Sequence, residues 1–273
     1  GDILVTYALS GFVLWFIRNW KARNLLILAT FLILVGSLQN FALKSSLEIA
    51  RDAAEEMKIS ITKSEEVSEE TAAWAQAWIE YENDYQAEKE NIPDEIKDRT
   101  SSYASAYEYN LEAANETIYF IIPFFLFLDA LMMMVVGMAL FKLNILDGGR
   151  EIRFYIKMMC IGFLTGLFIN AYEVLLITNS NMDIIETNPY LRFTYHFGRL
   201  FIALGYLGLI IVFIKLGKFS SLRFRLACVG RMALTNYLMH SVIALFIFSG
   251  AGLGLLGKFS WSQLYLVVPL IWA

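Results

Sequence analysis

The stretch LLILATFLILVGSLQNFAL, Leu25 to Leu43, decides the fold. It carries no charged side chain, and as a helix rising 1.5 Å per residue it covers close to the roughly 30 Å of a bilayer's hydrocarbon core. Comparable runs follow at Ile3 to Ile17, Ile118 to Phe141, Phe154 to Ile177, Thr194 to Leu216 and Arg231 to Phe248, and a further one opens at Trp261. The chain is 58% hydrophobic and 15% aromatic, with a mean hydropathy of +0.53, far above a soluble domain. The expectation is an all-α, polytopic transmembrane bundle of about seven spans. Gly1 stands where a methionine would, and the last run stops at Ala273, which predicts a segment of a longer protein whose signal peptide cannot be judged.

Lys and Arg resist translocation, whereas acidic residues matter little, so basic loops mark the cytoplasmic side. Three clusters alternate along the chain: Arg18, Lys21 and Arg23; Lys142, Arg150, Arg153 and Lys157; Lys215, Lys218, Arg223, Arg225 and Arg231. Residues 44–116 must then lie outside, between a first pair of helices in 1–43 and the remaining helices in 117–273. This segment holds 19 acidic against 7 basic residues, and the rest of the chain 7 against 15, so the net charge of −4 hides two opposite regions. Membrane orientation accounts for the positive charge, and a nucleic-acid surface is not expected. Two cysteines, Cys160 and Cys228, near the cytoplasmic ends of spans, suggest buried inert thiols and neither a disulfide nor a metal site.

The acidic segment reads as helical with a break at Asn91 to Asp94, where Pro93 ends one helix and starts the next. Thr62 and Glu65 have capping-box spacing. Trp74, Trp78, Tyr81 and Tyr85 share one helix face, and Tyr103 with Tyr107 form a second stripe; the two predict a helical hairpin closed on its aromatics, or an aromatic platform for a sugar.

A charge at the bilayer centre costs about 2.5 to 3.5 kcal/mol on insertion scales, so each intramembrane ionisable group needs a partner or a wet cavity. The candidates are Asp2, Asp129, Glu173, His196, Arg199 and His240. Gly162, Gly166, Asn170 and Glu173 fall on one face, a small and polar seam that lets a neighbouring helix approach, with Glu173 at the depth of His196 and Arg199. Asn236 and His240 are four residues apart on one face, beside Thr235, while Arg231 marks the cytoplasmic mouth. In order of depth, Arg231, Asn236, His240, Glu173, His196 and Asp2 describe a polar path across the bundle. Hydrogen bonds that merely fix helix packing are the alternative. GLGLLG, Gly252 to Gly257, has dinucleotide-loop spacing but follows a membrane run without a strand, and reads as a loop.

Gly1-Asp2-Ile3-Leu4 with Tyr7-Ala8-Leu9 and Gly11, then Gly137-Met138-Ala139-Leu140-Phe141 with Leu143, then Gly230-Arg231-Met232-Ala233-Leu234-Thr235-Asn236-Tyr237-Leu238 with Ser241, resemble the YeiB-like bacterial inner-membrane proteins (domain of unknown function 418). That family is similar to the wider transmembrane acyltransferases, bundles of about ten helices that pass an acyl group from cytoplasmic acyl-CoA to an acceptor on the other side. The resemblance implies further helices before and after these residues, acyl-CoA as a donor with no bound cofactor, and His240 or His196 as general base or transient acyl carrier. Glu173 would orient His196, and Asp2, Asp129, Asn170, Arg199, Arg231, Thr235 and Asn236 would line the route. The same residues suit a transporter or exporter of a small polar molecule, and the acidic hairpin suits a sensor or assembly factor.

Overall fold

Apolar runs in hydrocarbon must satisfy every backbone N–H and C=O within the segment, which leaves helices as the economical solution. A computed structural model describes residues 3–64 and 66–272, and among these there is no strand. The helices are α1 (Ile3–Ile17), α2 (Ala22–Lys63), α3 (Glu69–Glu90), α4 (Ile92–Thr100), α5 (Tyr103–Glu116), α6 (Phe127–Lys142), α7 (Ile152–Asn179), α8 (Ile184–Thr187), α9 (Tyr195–Lys215), α10 (Ser220–Arg231), α11 (Ala233–Phe248) and α12 (Trp261–Trp272). A π-helical stretch, Thr117–Leu126, joins α5 to α6, and a 3₁₀ turn, Pro189–Leu191, precedes α9.

The count of seven spans is not confirmed. Among the described residues four helical stretches are long and apolar enough to cross a membrane: Ala22–Lys63, Tyr103–Lys142, Ile152–Asn179 and Tyr195–Lys215. α10 and α11 add a fifth only if counted as one span bent by 69°. The described parts of α1, 15 residues, and of α12, 12 residues, are apolar but are not among these stretches.

The chain divides into two compact units. The first comprises residues 3–82 and 122–218. Here α1, α2 and α6 close on Leu25, Ala29, Leu131, Val135 and Ala139, and α7 lies along α9. α2 does not stop at Leu43: it runs for 42 residues, because the Ala-, Glu- and Lys-rich sequence beyond the apolar run offers neither glycine nor proline to end it. Ser64, in the left-handed region at φ 56°, ends it.

On that extension Ala50, Ala53 and Ala54 receive Ala75 and Trp78 of α3 together with Ile185 and Leu191. The expected aromatic stripe is therefore a packing surface at Trp78, and its partners are the α2 alanines and the 184–191 connection. Trp78→Ala should loosen this cluster by about 3 kcal/mol, read as faster limited proteolysis of the α2–α3 connection. Thr62 does not cap a helix: it lies inside α2 and its hydroxyl donates to Lys58 O, while Glu65 lies outside the described residues. The N-terminus of α3 is served instead by Ser68, whose Oγ accepts from Thr71 N at 3.1 Å.

Charges in this unit sort to two ends. Lys44 pairs with Glu186, and Arg51 with Asp183 at 3.2 Å. At the other end Tyr155, fully buried, donates to Ile145 O at 2.9 Å, Arg150 donates to Leu143 O, and Lys215 lies over the Tyr155 ring. Between the ends α7 turns apolar side chains outward, Phe168 being 77% exposed. That is the surface expected of a helix against lipid.

The second unit comprises residues 83–121 and 219–272. Pro93 sits in the first turn of α4, as the break at Asn91 to Asp94 predicts, and Ser102 caps α5 by accepting from Ser105 N at 3.1 Å. The loop after α11 folds onto α4: Gly250 N donates to Arg99 O at 2.8 Å, and Gly257, at φ +73°, would bring a Cβ within 2.8 Å of Ile96. GLGLLG is thus a loop packed against the acidic segment. Tyr103 and Tyr107 are exposed and stack on each other at 6.4 Å.

Candidate functional site

The close approach of α7 to α9 builds the site. A Cβ on Gly162 would lie 2.5 Å from Gly205 N and 2.7 Å from Phe201 O, and one on Gly208 would lie 2.8 Å from Tyr155 O. Backbone therefore meets backbone along the seam, as small residues allow. Further along, Asn170 faces Gly198, and Glu173 reaches Thr194 just before α9. Cys160, on the opposite side of α7 from this seam, is exposed, and Cys228 of the second unit is half-buried; both are free thiols and neither is buried as expected.

Two ionic centres result. Glu173 accepts from Thr194 Oγ1 at 2.5 Å and lies 3.6 Å from Arg192 Nη1, so its partner is neither His196 nor Arg199. Arg192 is itself buried and donates to Glu186 O. The physical reason is position: Arg192 and Thr194 precede α9 and reach back over the C-terminal half of α7. In the second centre Arg199 grips Asp129 of α6 with two nitrogens, Nη1 to Oδ2 at 2.8 Å and Nη2 to Oδ1, and stacks over the Tyr195 ring at 5.0 Å. Such a bidentate pair fixes both side chains.

His196 stands between α2 and this pair, 4% exposed. Its Nδ1 lies 3.5 Å from Asp129 Oδ1, within electrostatic reach, and its Nε2 lies 3.4 Å from Asn40 Nδ2, which also donates to Arg192 O at 3.2 Å. A carboxylate only accepts and the amide nitrogen only donates, so both neighbours favour the tautomer with the proton on Nδ1 and the lone pair on Nε2. Gly36 makes the room, since a Cβ there would come within 3.0 Å of Nε2.

Two spaces meet at Asp129. A chamber of about 20 Å³, bounded by Gly36, Asn40, Tyr190 and His196, has room for one water molecule. A cavity of about 560 Å³ between α1, α6 and α9 is lined mostly by apolar side chains, with Asp129 and Arg199 among its few polar ones. The second volume is in the range of small-molecule sites.

The structure brings together Asp129, His196 and Arg199, with Asn170 and Glu173 on the adjoining seam. Arg231, Thr235, Asn236 and His240 belong to the second unit. Arg231 closes α10 and is not collinear with α11, because the helix breaks at Met232, two residues after the helix-weakening Gly230. Asn236 and His240 keep their spacing on α11, half-buried and exposed respectively, and Arg231 and Thr235 are exposed. Asp2 lies outside the described residues. Among the described residues no group of three His, Cys, Asp or Glu is placed to hold a metal ion. Sequence reading missed Asn40, Arg192 and Thr194. Asn40 had a legible signal, an amide inside the run from Leu25 to Leu43, whereas Arg192 lies just outside a run and looked like an ordinary loop charge.

These helices define a multi-pass membrane protein whose bundle holds ionised side chains in apolar surroundings. Residues 140–273, just under half of the chain, match the family described as Protein of unknown function (DUF418). The matched residues include His196, Arg199 and Glu173, while Asp129 and Asn40 precede them. No curated protein and no solved structure matches the chain.

Proposed function

We propose that the chain is part of an integral membrane acyltransferase of the bacterial inner membrane, with His196 as its general base. One observation carries this reading: a buried imidazole whose Nδ1 faces a carboxylate held by an arginine, beside an apolar cavity that suits an acyl-bearing substrate. The basic end is taken as cytoplasmic and the acidic segment as extracytoplasmic, following the positive-inside rule.

In this mechanism the acceptor's hydroxyl or amine gives its proton to Nε2. Its oxygen or nitrogen bonds to the acyl carbonyl carbon of acyl-CoA, the carbon–sulfur bond breaks, and the CoA thiolate leaves with the proton that the imidazolium returns. Asp129 stabilises the imidazolium and Arg199 fixes Asp129, positioning roles analogous to those in other base–carboxylate pairs.

The test uses membranes containing the full-length protein and acetyl-CoA labelled on the acetyl group. His196→Gln should lower transfer of label about 10²- to 10⁴-fold at equal abundance. Label transferred undiminished by His196→Gln, or lost only in His240→Ala, would overturn the assignment. Substrate accumulation without label transfer would favour a transporter lined by the same residues.

A further inference from the structure

The 560 Å³ cavity follows the bundle axis. Along α6 from Asp129 to Leu140 it extends over roughly 16 Å of helix, and α9 borders it from Arg199 to Leu207. Its walls carry Met133 and Met134, whose flexible thioethers adapt to an irregular occupant, with Leu204 opposite. Polarity is confined to one end, at Thr6, Tyr7, Asp129 and Arg199. Thr6 is 2% exposed, and its Oγ1 is buried without a hydrogen-bond partner; Arg199 Nε is likewise buried and unpartnered. Buried polar atoms are rarely left so, because an unmade hydrogen bond leaves the desolvation of its group uncompensated.

We infer that this cavity holds one chain of a membrane lipid whose uncharged, hydroxyl-bearing head meets Thr6, Asp129 and Arg199. The long apolar part matches an aliphatic chain. Asp129 and Arg199 already neutralise each other, so a charged head would bring an uncompensated charge, whereas hydroxyl and ester groups supply the acceptors that Thr6 and Arg199 lack. Resting on the acyltransfer reading, the lipid is the acceptor: Asp129 borders both its head and the His196 chamber, and a single water in that chamber relays the proton of the head's hydroxyl to the imidazole.

The experiment reconstitutes the full-length protein into phosphatidylglycerol vesicles doped with a diacylglycerol bearing a mid-chain diazirine, with a parallel set carrying the same chain on phosphatidic acid. After illumination, label is mapped by peptide. Diacylglycerol label is expected on peptides holding Met133, Met134 and Leu204, and phosphatidic acid should give less. Gly137→Phe should abolish it by filling the cavity, since a Cβ at Gly137 meets no atom within 4 Å and so opens into free space. Thr6→Val should weaken it with the cavity left open. Label unaffected by Gly137→Phe, or spread equally over Leu164 and Phe168 on the outward face of α7, would overturn the site, and equal label from phosphatidic acid would overturn the uncharged head. Cavity label that persists while His196→Gln transfers normally would leave the lipid site and sink the acyltransfer reading. His196-dependent transfer without cavity label would do the reverse.

Discussion

Gly162→Leu and Gly208→Leu should each separate α7 from α9 and largely abolish folding into the bundle. At both positions the new Cβ would meet backbone, Gly205 N and Phe201 O in one case and Met159 N and Tyr155 O in the other, and backbone cannot rotate away. Overpacking a yielding core costs about 1 to 3 kcal/mol, occasionally more. Here the obstacle is a helix axis, so the upper end is expected, with the Glu173 and Asp129 pairings lost as α9 moves. Thermal unfolding in detergent and cysteine crosslinking between α7 and α9 measure it. Gly11→Ala is the control, since its Cβ meets nothing within 4 Å. Equal stability of the control and the two seam variants would contradict this packing.

The second large effect is at the ion pair. Arg199→Leu strands the Asp129 carboxylate in apolar surroundings, at a cost of about 2.5 to 3.5 kcal/mol, the insertion penalty of an unpaired charge. Both side chains keep some exposure, 32% for Arg199 and 23% for Asp129, so the loss should stay below that of a fully buried pair. The double variant Asp129→Leu with Arg199→Leu should recover most of the stability, because an apolar pair needs no desolvation, while the acyl transfer proposed for this site stays lost. Chemical unfolding of the two single variants and the double variant gives the coupling. Additive losses would mean that the two side chains do not act as a unit.

Much of this arrangement was legible in the residues. The seam from Gly162 to Glu173 was visible as small and polar residues at helical spacing, and α9 does approach along it. The break at Pro93 and the loop character of GLGLLG followed from local backbone chemistry. Pairing was not legible. Asp129 and Arg199 are 70 positions apart, and nothing local distinguishes Arg199 from Arg192 as the partner of Glu173. The extension of α2 was hidden for a different reason: hydropathy changes at Lys44, yet helix propagation responds to backbone hydrogen bonding and continues through polar residues.

By itself, then, the sequence determined a helical membrane chain, its apolar runs, its charge asymmetry and the inventory of groups costly to place in lipid, because transfer free energy is a property of each residue and its near neighbours. Only the tertiary structure decided which of those groups meet, that His196 faces Asp129 and Asn40, and that a cavity ends at Arg199. Those facts depend on how helices far apart in sequence approach one another, and that approach is set by the glycines that let α7 and α9 touch.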